Sequence, residues 1–267
     1  MGNGKTATAR DLEERGLGAT LRRDAWWVAP ALTALVLGGF GIYSTWAAAI
    51  NAHYEWGPYL SPFYSPLVET TWWPLSPAFL ILVFPLGFRA TCYYYRKAYY
   101  RAFFLDPVAC SVGEPRHRYR GETRFPFILQ NLHRFFMYAA VVFIFILSYD
   151  VFLGTRWPVA GVPADGTMAP GPREFGIGVG TLVMAVNVVL LAGYTFGCHS
   201  VRHLVGGGVD CFSCARAGRA RYQAWRGVSV LNQHHMLWAW CSLFSVALTD
   251  LYIRLCAAGV IHDLRIL

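Results

Sequence analysis

Five apolar stretches, each about as long as a bilayer is thick, decide what this chain can fold into. They run over residues 27–50, 76–95, 129–153, 175–201 and 230–257, and about 20 apolar residues suffice to cross the hydrocarbon core as a helix. Backbone amides find no water in lipid, so a helix, which pairs them internally, is the form predicted for each stretch. Composition agrees: 55% hydrophobic, 16% aromatic and 14% charged is too apolar for an ordinary soluble domain. The predicted fold class is all-α, a polytopic membrane helix bundle of five transmembrane helices. Residues 1–24 would form a polar cytoplasmic arm and residues 25–267 a single membrane domain. The first run is longer than a signal peptide's apolar core and lacks a small-residue cleavage site, so it reads as a retained span. Ser76 and Pro77 give the second span a cap and a proline at its first turn, and Pro85 predicts a kink within it.

Lysine and arginine set the orientation. The arm, the 96–126 loop and the 202–226 loop carry 5, 7 and 5 of them, against 0 and 2 in the 51–75 and 154–175 loops and, counting Arg254 near the end of the fifth span, 2 at the C-terminal end. The basic set is expected in the cytoplasm, with the N-terminus inside and the C-terminus outside. Trp26, Trp27, Trp46, Trp72, Trp73 and Tyr93 to Tyr95 gather at span ends as an aromatic belt. The net charge of +8 is then explained by topology and anionic lipid, and no nucleic acid is implied. No inverted repeat of the kind transporters show is present in the sequence, which counts against a transporter; a structural scaffold is the other rival of a different class.

Ligand-type residues crowd into one segment, 196–235, which holds Cys198, His199, His203, Cys211, Cys214, His234 and His235. On the topology above all of them fall at the cytoplasmic mouths of the fourth and fifth spans. His199 and His203 are four apart and share a helix face, while His234 and His235 open the span that packs beside it. The Cys211-x-x-Cys214 pair suits zinc, an iron–sulfur centre or a dithiol switch. A [2Fe–2S] cluster with cysteines on one iron and histidines on the other, of Rieske type, would take His203, Cys211, Cys214 and His235. His199 in place of His203, His234 in place of His235, and Cys198 in place of a loop cysteine stay open. Imidazole ligation raises the potential, which suits electron delivery to a quinone. A single b haem between the fourth and fifth spans is the alternative cofactor; two haems are not expected, because the first two spans contain no histidine. Arg89, Gln130, His133 and Arg134 form a second polar set, expected to hydrogen-bond quinone carbonyls or, for the arginines, to reach lipid phosphates.

Two segments carry a family resemblance: Gly197-Cys198-His199-Ser-Val-Arg202-His203 with the glycines that follow, and Leu231-Asn-Gln-His-His235-Met-Leu-Trp-Ala-Trp240 with Ala247-Leu-Thr-Asp250-Leu-Tyr252. The chain resembles the single-chain, five-helix membrane anchor (cytochrome b-type) of actinobacterial succinate dehydrogenase, respiratory complex II. The resemblance implies a multi-pass protein of the bacterial plasma membrane, docked to a flavoprotein subunit and an iron–sulfur subunit and delivering succinate's electrons to menaquinone. Higher oligomers are compatible with it. Familiar five-helix anchors hold two haems; the missing histidines imply the haem-free branch with a membrane-embedded Rieske-type cluster. The anchor itself would carry no succinate site, and the 96–126 loop is expected to meet the partner.

Overall fold

The computed structural model describes residues 16–115, 123–125, 127–163, 166, 168 and 170–267. Its contacts divide the chain into two units, residues 1–42 with 89–132 and residues 43–88 with 133–267. Among the described residues, four helices are long and apolar enough to cross a membrane, and a fifth span results if one bent pair is counted as one. The all-α polytopic architecture expected from the sequence is therefore present.

The first helix, α1 (Val28–Ile50), exposes Leu32, Leu35 and Ile42 over its first two thirds and buries Ser44, Ala47 and Ala48 near its end. Apolar side chains on every side of a helix are what a lipid environment stabilises. After it comes a hairpin, β1 (Glu55–Trp56) and β2 (Tyr59–Leu60), antiparallel with Trp56 opposite Tyr59. The second apolar stretch is broken. Helix α2 (Pro77–Thr91) continues through Pro85 and ends at Cys92, whose extended backbone turns the chain by 78° into α3 (Tyr93–Tyr99) and a π-helical turn, Tyr100–Phe104.

In the first unit the arm is pinned where it is described. Thr20 bridges Val112, the Thr20 hydroxyl donates to the Ser111 carbonyl at 2.7 Å, and Arg22 donates to the Cys110 carbonyl at 2.9 Å. The remainder of the predicted solvated arm, 1–15, and residues 116–122 and 126 of the expected partner-facing 96–126 loop lie outside the described residues.

The second unit holds the bundle. Helix α4 (His133–Leu153) follows a 3-10 turn, Phe127–Leu132; β3 (Arg156–Pro158) and β4 (Arg173–Phe175) form a second hairpin; then come α5 (Val179–Phe196), α6 (His199–Gly206), α7 (Gly218–Gln233) and α8 (His235–Ala257). The fourth and fifth stretches thus end inside the limits read from sequence. The fourth stops at Gly197 and restarts as α6, because Cys198 is extended and its sulfur accepts from the Ser200 amide at 3.4 Å, capping the new helix. The fifth begins only after His234, and the basic loop before it is mostly helical.

Helices α5 and α8 form the most extensive pair. A Cβ at Gly193 would lie 2.6 Å from the Trp238 ring, so only glycine lets the helices approach this closely, and the Ser245 hydroxyl donates to Asn187 at 3.1 Å across the same interface. Trp56, Tyr59, Trp157, Met184, Ile253 and Cys256 form a buried cluster that ties both hairpins to this pair. The C-terminal tail returns to α5: Asp263 accepts from the Tyr59 hydroxyl at 2.8 Å and from the Gly180 amide at 2.9 Å.

Candidate functional site

The break between α5 and α6 builds the site. Gly197 has no room for a side chain, since a Cβ there would meet the Gly193 carbonyl oxygen at 2.6 Å, and its own carbonyl accepts from Asn232 at 2.8 Å. That bond ties the end of α7 to the break. The turn buries Cys198 completely and aims its sulfur at α4, where His133 begins the helix: His133 Nε2 lies 3.0 Å from the sulfur. His199 follows at the first position of α6 and stacks on His133, ring centroids 5.3 Å apart.

The ligand atoms of His133, Cys198 and His199 all lie within 4.8 Å of one another, the one such group of three or more among the described residues. Two imidazoles and a thiol at this separation form a donor set for a transition metal or an iron–sulfur centre. Partial desolvation, and then the neighbouring His203 and Arg134, lower the pKa of His199, which favours the neutral imidazole that can ligate a metal. Phe88 stacks on the other face of His133 at 4.9 Å and contacts Tyr194 at 5.2 Å, and Tyr194 stacks on His235 at 5.0 Å. A continuous run of rings therefore links His199 to His235.

A family model, "Actinobacterial succinate dehydrogenase subunit SdhC", matches residues 28–259. The chain belongs to that family. A solved structure similar to it is described as the Mycobacterium smegmatis Sdh1 complex in the apo form, whose matching chain is 44% identical, with a TM-score of 0.80 over 93% of this chain and 94% of that one. Among curated proteins no sequence matches. This SdhC-family chain, with its several apolar helices, is a multi-pass protein of the bacterial plasma membrane.

Placing the predicted residues on the SdhC-family structure separates them. Of the expected ligand set, no three of His203, Cys211, Cys214 and His235 converge among the described residues. Cys211 and Cys214 are joined to each other as a disulfide. The reason is local: Phe212 packs on Tyr222 and Trp225 of α7, at 5.5 and 6.0 Å, and so holds the cysteine turn against that helix. His203 is exposed, and its Nδ1 accepts from Arg134 at 3.1 Å. His234 caps α7, donating to the Val230 carbonyl at 3.2 Å.

The expected quinone-contacting residues fall in both units. In the first, buried Arg89 donates to the Tyr95 hydroxyl at 2.5 Å, and Gln130 donates to the Tyr99 hydroxyl at 2.7 Å and the Ala90 carbonyl at 3.1 Å. In the second, His133 sits in the Cys/His group and Arg134 beside it holds His203. The sequence reading grouped His133 with the polar residues and left Cys198 as an open alternative; the signal that joins them is the Cys198-His199 dipeptide directly after a glycine that cannot carry a side chain.

Proposed function

We propose that this SdhC-family subunit anchors a flavoprotein and an iron–sulfur subunit to the membrane and passes electrons to menaquinone through a Cys/His-ligated iron–sulfur centre held at His133, Cys198 and His199. The carrying observation is the convergence of those three donors within 4.8 Å. Their chemistry fits: one thiol and two imidazoles are three donors of the mixed set such a centre takes, and His235, reached from His133 through Phe88 and Tyr194, is the candidate for a further one. The centre supplies one-electron transfer. The rest falls to the chain itself. Cys198 is buried and set in place by the α5–α6 break, and Asn232 fixes that break. Arg134, holding His203, presents a cationic, hydrogen-bonding edge one residue from His133, suited to a quinone carbonyl or its reduced, negatively charged form. Phe88 and His199 pack face to face on either side of His133, which favours a compact centre over the haem alternative, because a macrocycle needs those faces parted.

The test is a pair of activities on the purified complex. His133→Ala and Cys198→Ser should leave succinate oxidation by a soluble dye intact and abolish succinate-dependent quinone reduction. Retained quinone reduction in both variants refutes the reading.

A further inference from the structure

We propose that the Cys211–Cys214 disulfide is a redox-sensitive clasp, opened by a cytoplasmic dithiol, that sets how firmly α6 is held against α7. Its consequence for electron delivery rests on the reading above; the clasp itself does not.

Location argues for a reversible bond. The disulfide lies in the basic 202–226 segment, which the lysine and arginine bias assigns to the cytoplasm, and both of its cysteines are exposed. The cytoplasm keeps thiols reduced, so a disulfide exposed to it acts as a transient or redox-sensing bond and not as a permanent staple. Among the described residues neither cysteine belongs to a group of three metal donors, which sets the pair apart from His133, Cys198 and His199.

The bond closes a turn fitted to α7 without slack. Within the turn the Cys214 amide donates to the Cys211 carbonyl at 3.3 Å and the Ala215 amide to the Phe212 carbonyl at 3.2 Å. A Cβ at Gly218, the first residue of α7, would lie 1.6 Å from the Phe212 carbonyl oxygen. Phe212, between the two cysteines, packs on Trp225, and Trp225 also faces α6: the Arg202 guanidinium lies 5.0 Å from its ring centre, and a Cβ at Gly206 would lie 2.2 Å from the ring. Two hydrogen bonds complete the joint, from Arg202 to the Ser229 hydroxyl at 3.0 Å and from Arg221 to the Val205 carbonyl at 3.1 Å. Helix α6 begins at His199, and the far end of α7 holds Gly197 through Asn232. One packed ring, Trp225, therefore connects the cysteine turn to the helix that carries His199.

Opening the clasp is thiol–disulfide exchange. A thiolate of the dithiol attacks the Cys214 sulfur, the S–S bond breaks, and Cys211 leaves as a thiolate that accepts from the Ser213 hydroxyl, 3.1 Å from its sulfur. The second thiol of the reductant then displaces Cys214. The reductant ends as a disulfide, its two electrons and two protons now on Cys211 and Cys214, and an oxidised dithiol closes the clasp by the same steps in reverse. A loop this short still supports an effect of about ten-fold or more on local opening.

The experiment uses the complex purified with its partners. Free thiols are blocked, the complex is treated with thioredoxin and its reducing system, and new thiols are labelled with maleimide and mapped; hydrogen exchange is followed at Arg202 and Gly207, whose amides donate to the Cys198 and His203 carbonyls. Cys211 and Cys214 should both take label, exchange across α6 and α7 should rise about ten-fold while α5 and α8 stay protected, and quinone reduction should fall with the dye activity unchanged. Cys211→Ser with Cys214→Ser should show the faster exchange with or without reductant. Cys198→Ser should keep the exchange response, so that loss of the electron-path reading and loss of the clasp are told apart. A pair that takes no label in the folded complex, labelling without a change in exchange, quinone reduction indifferent to the state of the pair, or one zinc ion per chain released by opening Cys211 and Cys214 would each overturn the proposal. The wild type alone carries these readings should the double variant fail to fold.

Discussion

Arg254 donates to the Asp250 carboxylate at 2.8 Å in an ion pair buried at both ends, one turn apart on α8. The Tyr43 hydroxyl donates to the same carboxylate at 2.7 Å, Ser61 does so as well, and Arg254 donates to the carbonyls of Ala47 and Ala52 at 2.7 and 2.6 Å. A buried pair so fully hydrogen-bonded offsets its desolvation, but loss of one member leaves the other charge stranded. Asp250→Ala or Arg254→Ala should each cost about 3–5 kcal/mol. The double variant Asp250→Asn, Arg254→Met should be milder than either single change. Thermal unfolding of the three variants decides this; a double variant as unstable as the sum of the singles would contradict it.

Close approach at Gly193 makes a second prediction. Gly193→Val must push aside the Trp238 ring in the α5–α8 interface, at a cost of about 1–3 kcal/mol or more. Gly227→Ala, on α7, meets nothing within 4 Å and should be neutral or stabilising by up to about 1 kcal/mol. Equal melting temperatures for the two variants would show that the helices do not meet at Gly193.

The tail carboxylate Asp263 accepts from Tyr59 at 2.8 Å and from Tyr252 at 2.5 Å, and so fastens residues 259–267 to the bundle. Asp263→Ala should speed hydrogen exchange at Ile266, whose amide donates to the Ile177 carbonyl at 2.7 Å, while the spans stay protected. Burial above all raises the Tyr59 pKa, with Asp263 adding to it. A raised phenol pKa means that the unfolded chain ionises first. The contribution is therefore complete below about pH 10 and lost as the pH rises beyond it. Tyr59→Phe should flatten stability above that point; an unchanged alkaline limb would contradict the assignment.

How much of this was legible in the sequence follows from which forces are local. Apolar length alone located four spans, because the bilayer requirement acts on each stretch independently, while the second stretch is bent at Cys92 and makes a fifth only if its two helices are taken together. The breaks at Cys92, Cys198 and His234 were not legible: none of the three is a proline or glycine, Cys92 and Cys198 turn through an extended backbone, and the turn at Cys198 is held by the tertiary bond from Asn232 to Gly197. Helix α7 was read as a basic loop because its arginines hid an aromatic face, where Arg202 stacks on Trp225 at 5.0 Å. The candidate site was half legible. Cys198 and His199 are adjacent in sequence, but His133 joins them only through packing of α4 on α6, which no spacing rule reports. The Cys211 and Cys214 spacing suits a metal hairpin and a disulfide equally, and the structure forms the disulfide.

The central claim is that the donors which matter are His133, Cys198 and His199. Iron and acid-labile sulfide per chain, together with the paramagnetic signal of a mixed thiolate and imidazole cluster, should be measured on the purified complex of the wild type, of Cys198→Ser, and of Cys211→Ser with Cys214→Ser. The account predicts that Cys198→Ser loses the signal and its share of iron and sulfide, while the loop variant keeps both. Loss in the loop variant with retention in Cys198→Ser would contradict it.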